Sequence, residues 1–260
     1  MFDFSKPPSL LSKLIEIGSP AVEDSDTDEA FIVLDFFAGS GTTGHATMLQ
    51  NAIDGSRRRY VLVQLPEPLD LANKEQEIAA AYCDKIHKPR SIAELTKERL
   101  RLSGAAIQAD HPIFHGDTGF RSFSLSTSNI RQWNPNPSNL SGALLENLDH
   151  IEPNRTNEDL LYEVLLKLGL DLCVPIEKRD IAAKPVHSIG EGTLIACLDE
   201  HISVADAEPL ALGIAAWREE QSTAGTTTAV FRDSAFENDV AKSNLAAILE
   251  QHGVKQVRSL

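Results

Sequence analysis

The stretch VLDFFAGSGTTGHA, Val33 to Ala46, sets three glycines, Gly39, Gly41 and Gly44, in a G-x-G-x-x-G pattern directly after an apolar run. That run, Phe31–Phe37, is interrupted only by Asp35, and such runs suit a parallel strand buried on both faces. Thr42–Asn51 reads as the next helix. RRYVLVQLPEP then supplies a second apolar strand, Tyr60–Leu65, ending in a proline-broken loop. Strand, glycine turn, helix and strand within about 35 residues make a βαβ unit.

Outward from this unit, Pro7 and Pro8 fix an extended lead-in to a short helix with Leu10, Leu11, Leu14, Ile15 and Ile17 on its apolar face. Ser19–Ala30 holds five acids and no bases, a solvated loop. Leu71–His87 has helical character, and Ser91 with Glu94 has capping-box spacing at the start of a further helix. Near His111 the texture changes. GFRSFSLSTSNIRQW alternates Phe120, Phe123 and Leu125 with polar residues, as a half-buried strand does, and NPNPSNLSG then breaks regular structure. The remainder predicts helix Glu158–Leu168, strand Thr193–Leu198, helix Ala205–Glu220, strand Thr226–Phe231, helix Ala235–Gln251 and strand Val254–Val257, a small α/β domain.

The bulk numbers are those of an ordinary globular chain: 260 residues, 42% hydrophobic, 24% charged, mean hydropathy -0.18. Apolar runs fall far short of the ~20 residues a membrane span needs, and the N-terminus lacks the pattern of a secretory signal. Cys83, Cys173 and Cys197 are far apart and odd in number, which points to buried or partly buried thiols in a reducing cytoplasm and to no metal site. A net charge of -14 disfavours broad contact with nucleic acid. The two basic stretches, Ser56–Tyr60 and Lys85–Arg101, read as a solvated turn and a charged helix face.

Three ligand classes compete for the glycine turn. A phosphate-binding P-loop needs Lys and Ser/Thr where His45 and Ala46 stand, which removes the phosphate cation and the magnesium ligand. A nicotinamide or flavin dinucleotide accepts the glycines but wants an acid ending the second strand. That strand ends in Gln64, and Glu67 follows only beyond Pro66. A sulfonium methyl donor, S-adenosyl-L-methionine, needs close backbone approach at Gly39 and Gly41 and a carboxylate for its ammonium, which Asp35 offers. A charge in an apolar strand is costly without a partner, and a cationic ligand is one.

DFFAGSGTTGHA followed by RRYVLVQLPEP resembles the donor motif and second strand of amino-group DNA methyltransferases, above all the modification subunit of type III restriction–modification systems. FDFSKPPSLLSKLI resembles that family's lysine-proline segment, and SIAELTKERLRLSG its following helix. GFRSFSLSTSNIRQW, DLLYEVLLKLGLDLCVPIE and FRDSAFENDVAKSNLAAILEQHGVKQVRSL resemble its C-terminal domain. The resemblance implies a partial Rossmann-like methyltransferase sheet followed by a small α/β C-terminal domain. Four segments are expected: 1–18, packing on the donor site; 19–30, the acidic loop; 31–112, binding the donor; and 113–260, making dimer or restriction-subunit contacts. The donor-binding residues it implies are Lys6, Pro7, Asp35, Phe37, Gly39, Gly41, Thr42, Gln64 and Glu67. Thr43 reads as a first-turn helix residue and His45 as helix surface.

The family's catalytic tetrapeptide, [DN]-P-P-[YFW], does not occur in this sequence: Pro7-Pro8 lies between Lys6 and Ser9, and NPNP at Asn134–Pro137 has no adjacent prolines. The expectation is therefore the C-terminal, donor-binding part of a type III-like adenine-N6 DNA methyltransferase, weak or inactive alone and without catalytic residues of its own. DNA would be engaged through the complete enzyme, with an N-terminal fragment in trans if separately encoded, and homodimer and restriction-subunit partners by resemblance. The alternatives are an inactive remnant or interaction module, and an NAD(P)-dependent oxidoreductase.

Overall fold

The computed structural model describes residues 6–19, 30–131, 151–223 and 225–260. Most of the acidic loop and all of the NPNPSNLSG linker lie outside the described residues. The chain divides into two compact units, Met1–Phe123 and Ser124–Leu260. Both are mixed α/β.

In the first unit β1 (Ile32–Asp35) and β2 (Arg59–Leu62) pair in parallel, Ile32 opposite Arg59 and Asp35 opposite Leu62. Helix α2 (Thr42–Asp54) is the crossover and stops at Gly55, whose positive φ of 72° lets its N–H return to Asn51 O. Helix α1 (Pro8–Gly18) packs on α2, with the Ser12 hydroxyl donating to Gln50 Oε1 at 2.5 Å in the buried contact. Helices α3 (Glu77–Lys85) and α4 (Ile92–Asp110) follow, and the Ser91 side chain caps α4 by accepting from Glu94 N. Met48, Leu100 and Ile107 form a core with Tyr60, Leu62, Phe114 and Phe120.

Two expectations need correction here. The first strand is shorter than Phe31–Phe37 and is not buried on both faces. α2 and α4 cover the side of Tyr60 and Leu62, while Ile32, Leu34, Val61 and Val63 on the opposite face are exposed. Helical structure begins at Glu77 rather than Leu71. The side chains of Asp70 and Asn73 capture the N–H groups of Ala72 and Glu75, and these local turns compete with helix.

The second unit is a five-stranded mixed sheet in the order β3 (Ile176–Ile181), β4 (Lys184–Ile189), β5 (Leu194–Cys197), β6 (Thr228–Phe231), β7 (Gln256–Ser259). The β3–β4–β5 pairs are antiparallel and β5–β6–β7 parallel. Helix α5 (Asn157–Leu168) precedes the sheet, α6 (Val204–Glu220) joins β5 to β6, and α7 (Asp239–Gln251) joins β6 to β7. Every residue of β5 is buried. Ile195 and Cys197 pack with Leu210, Ile214 and Trp217 of α6 and Leu245 and Leu249 of α7, whereas Leu194 and Ala196 pack with Leu160, Val164 and Leu165 of α5. Capping boxes at Thr156/Asp159 and Ser203/Asp206 fix where α5 and α6 begin.

The strand expected around Phe120–Leu125 does not form. Phe120 joins the first unit's core, Leu125 is fully exposed, and Asn129 N donates to the Glu163 carboxylate instead of entering a ladder. The helix expected from Ala235 starts at Asp239, because a 3₁₀ turn occupies Asp233–Ala235 and Asn238 caps the helix by accepting from Ala241 N. Cys83 and Cys197 are buried free thiols, but Cys173 is exposed. Burial pushes the Cys197 thiol up to about 11. No helix of the described residues is long and apolar enough to cross a membrane.

Candidate functional site

The C-terminal ends of β1 and β2 and the N-terminus of α2 meet at the glycine turn. Gly39 and Gly41 have φ of 51° and 78°, a left-handed backbone that glycine adopts without a Cβ penalty. A Cβ on Gly41 would also lie 3.0 Å from Thr96 Cγ2, and one on Gly44 would lie 2.6 Å from Leu100 Cδ2. These two glycines therefore let α4 close on the turn. Ala38 N donates to Val63 O and Gly39 N to Gln64 Oε1 at 2.7 Å, so the segment that follows β2 holds the turn from the other side.

Asp35 ends β1 half-buried, with Oδ1 accepting from Phe37 N at 3.0 Å and Oδ2 from the Thr43 hydroxyl at 2.5 Å. No lysine, arginine or histidine is paired with it among the described residues. A carboxylate has about four acceptor positions, so Asp35 retains capacity for a cationic group.

The other expected residues are distributed around this centre. Thr42 is buried at the first position of α2, its hydroxyl 3.0 Å from Ser40 Oγ. Phe37 is 89% exposed beside the turn. Glu67 is exposed on the loop after β2, where its carbonyl accepts from Ile92 N. Lys6 and Pro7 are exposed at the head of α1, Pro7 being its N-cap residue. Thr43 sits in the first turn of α2, and its bond to Asp35 makes it a support for that carboxylate.

His45 is not helix surface. It is half-buried, its Nδ1 has no hydrogen-bond partner among the described residues, and burial, then the Arg99 charge, lowers its pKa. Three further residues of the turn escaped the sequence reading. The Thr96 hydroxyl donates to Gly39 O at 2.5 Å, and Arg99 Nη1 donates to Ser40 Oγ at 2.6 Å. Thr96, Arg99 and Leu100 share one face of α4 at i, i+3, i+4 spacing, a signal present in SIAELTKERLRL.

No family model matches the chain. Over 127 residues, 49% of its length, it is 35% identical to the Type III restriction-modification enzyme StyLTI Mod subunit of Salmonella typhimurium, covering 17% of that protein. Over 121 residues, 46% of its length, it is 30% identical to the Type III restriction-modification enzyme EcoPI Mod subunit of Escherichia phage P1, again covering 17%. Its relatives are type III modification subunits. A 38-residue stretch, 15% of the chain, is 47% identical to 9% of the Type II methyltransferase M.KpnI of Klebsiella pneumoniae. The chain thus spans about a sixth of the length of the two Mod subunits.

The basic stretches of the chain are largely committed to its own fold. Arg58 is buried, bonding Ser19 O, Ser19 Oγ and the Asp54 carboxylate, with its side chain 1% exposed. Arg90 pairs with Asp84, Lys97 with Glu94 and Arg101 with Glu98. The pairings of Arg90, Lys97 and Arg101 agree with a charged helix face, whereas the burial of Arg58 corrects the reading of Ser56–Tyr60 as a solvated turn.

Proposed function

We propose that this chain is the S-adenosylmethionine-binding part of a site-specific adenine-N6 DNA methyltransferase of a type III-like restriction–modification system. The observation that carries the reading is Asp35. It is a carboxylate at the end of an apolar strand, beside a turn of two left-handed glycines, and no cation is paired with it among the described residues. The similarity to Mod subunits and to a type II methyltransferase supports the same class.

S-adenosylmethionine, when bound, supplies an electrophilic methyl group. The chain's part is to hold and orient. Asp35 takes the amino-acid ammonium, with Thr43 and Phe37 N fixing the carboxylate. Gly39 and Gly41 present backbone, and Thr42 and the exposed Phe37 ring line the approach. Gln64 acts by keeping Gly39 in place, and Glu67 is the acid available to the ribose side. Lys6 and Pro7 stand at the entrance, and segment 113–260 carries the dimer or restriction-subunit contacts. Recognition of DNA and of the target amine belongs to the part of the enzyme that bears the [DN]-P-P-[YFW] tetrapeptide, which does not occur in this sequence.

A dinucleotide reading keeps the glycines but loses its acid: Gln64 lies just past β2, and its carboxamide oxygen is already bonded to Gly39 N. The purified chain is expected to bind S-adenosylhomocysteine and to transfer no methyl group to DNA by itself. Binding failure, or methylation by the chain alone, contradicts the proposal.

A further inference from the structure

Helix α4 carries three basic residues in Lys97–Arg101, and one of them stands apart. Lys97 pairs with Glu94 and Arg101 with Glu98, each about one turn back. Arg99 has Thr96 and Leu95 at the corresponding positions, so its own helix offers it no carboxylate there. It makes no ion pair among the described residues. Its Nη1 donates to Ser40 Oγ at 2.6 Å, and Ser40 Oγ lies 3.0 Å from Thr42 Oγ1.

Stability does not account for this placement. Arg99 is half-buried, and burial lowers its pKa, so the fold disfavours its charge. It also stands beside the first turn of α2, the positive end of that helix, where a further cation is unfavourable. Its charge is felt within α2, where it adds to the depression of His45. Closure of α4 on the turn needs no guanidinium. Leu100 packs against Gly44, and the Thr96 hydroxyl already holds Gly39 O at 2.5 Å.

A guanidinium only donates, and each hydroxyl brings a single hydrogen. One hydroxyl hydrogen joins Ser40 to Thr42, so with Arg99 donating to Ser40 Oγ the other has no acceptor among the described residues. Ser40 Oγ is already taken as an acceptor, which favours Ser40 donating to Thr42 and leaves the Thr42 hydrogen free. Thr42 is buried at the head of α2, next to the Thr43 that holds Asp35. We infer that Arg99 is a positioning residue for the methyl donor: through Ser40 it fixes the Gly39–Thr42 turn and keeps the Thr42 hydroxyl hydrogen available to an acceptor on the bound ligand. The identity of that ligand rests on the proposed function; the Arg99–Ser40–Thr42 chain does not. Thr96 and Arg99 divide the work, Thr96 tying the backbone of the turn and Arg99 its hydroxyl pair.

The test titrates the full chain with S-adenosylhomocysteine and follows amide exchange at Gly39 and Gly41, whose N–H groups bond Gln64 Oε1 and Ala38 O. Arg99→Met and Ser40→Ala should each weaken S-adenosylhomocysteine about tenfold, the effect of losing one charge-assisted hydrogen bond. The double variant should bind no more weakly than either single one, because both remove the same link. Arg99→Lys keeps a cationic donor and should stay within about threefold of the parent. Melting temperatures should stay at or above the parent's, while exchange at Gly39 and Gly41 quickens in both single variants. Unchanged affinity in both single variants overturns the inference. So do additive losses in the double variant, a lysine variant no better than the methionine one, or an affinity loss matched by a lower melting temperature. Failure of the unsubstituted chain to bind S-adenosylhomocysteine strikes the functional reading instead. Exchange at the turn then decides the inference by itself: quickened exchange supports it and unchanged exchange overturns it.

Discussion

Gln64 Oε1 accepts the backbone N–H of Gly39 at 2.7 Å, joining the segment that follows β2 to the turn that follows β1. Gln64 therefore acts through backbone position. Replacing it with Ala leaves Gly39 N–H without its protein acceptor and should cost about 1 kcal/mol of stability. The same change should weaken S-adenosylhomocysteine about fivefold, because the turn is no longer held in its binding geometry. Chemical denaturation and calorimetry check the two halves.

The Arg58–Asp54 pair gives a second expectation. Arg58 is enclosed by Ser19, Asn51 and Asp54, and removing one partner strands a buried charge. Arg58→Met should destabilise the first unit by about 3 kcal/mol, the lower end for a broken buried pair because Asp54 keeps some solvent. A urea titration followed by tryptophan-independent far-UV signal measures it. A change below the error of such a titration would show that Arg58 is a surface residue in solution.

Acid stability of the first unit follows mainly from two groups. Burial by itself would raise the Asp54 carboxyl, but hydrogen bonds from Gln50, Ser56 and Arg58 outweigh it and hold the pKa below the usual range. Its stabilisation is complete above the unfolded value, about 3.8–3.9, and is lost as pH falls through the folded one. His45 is depressed by burial and then Arg99, so its neutral form is favoured in the fold. Its contribution is complete above about 6.5 and declines as pH drops below that. The melting temperature should fall in two steps on acidification, and His45→Gln should reduce the earlier one, to which His187, depressed chiefly by burial, also contributes.

Much of the first unit was legible because its signals are local. The apolar run before Gly39, the helix after Gly41 and the cap at Ser91 each occupy a few adjacent residues. What stayed hidden depends on distant partners. β1 reads as doubly buried from composition, yet one of its faces is exposed. Thr96 and Arg99 reach the turn only because α4 folds back on it. The β3–β4 hairpin was missed because its strands are polar and its two-residue turn is Ala182-Ala183, without the glycine or asparagine that marks such turns. Phe120 and Phe123 misled in the opposite direction, by alternating without a neighbouring strand.

That hairpin turn yields a further expectation. Ala182 and Ala183 have φ of 51° and 60°, which costs L-residues about 1–2 kcal/mol each. Substituting Asn-Gly at these positions supplies residues that tolerate the left-handed region. The double variant should gain about 1–2 kcal/mol over the parent in chemical denaturation. A loss of stability would mean that the two alanines make contacts outweighing the backbone relief.

The most direct test of the central claim is side-by-side calorimetric titration of the purified chain with S-adenosylhomocysteine and with NADH. The account predicts saturable one-site binding of S-adenosylhomocysteine, weakened at least tenfold by Asp35→Asn, and no measurable heat from NADH. Binding of NADH with none of S-adenosylhomocysteine would contradict it.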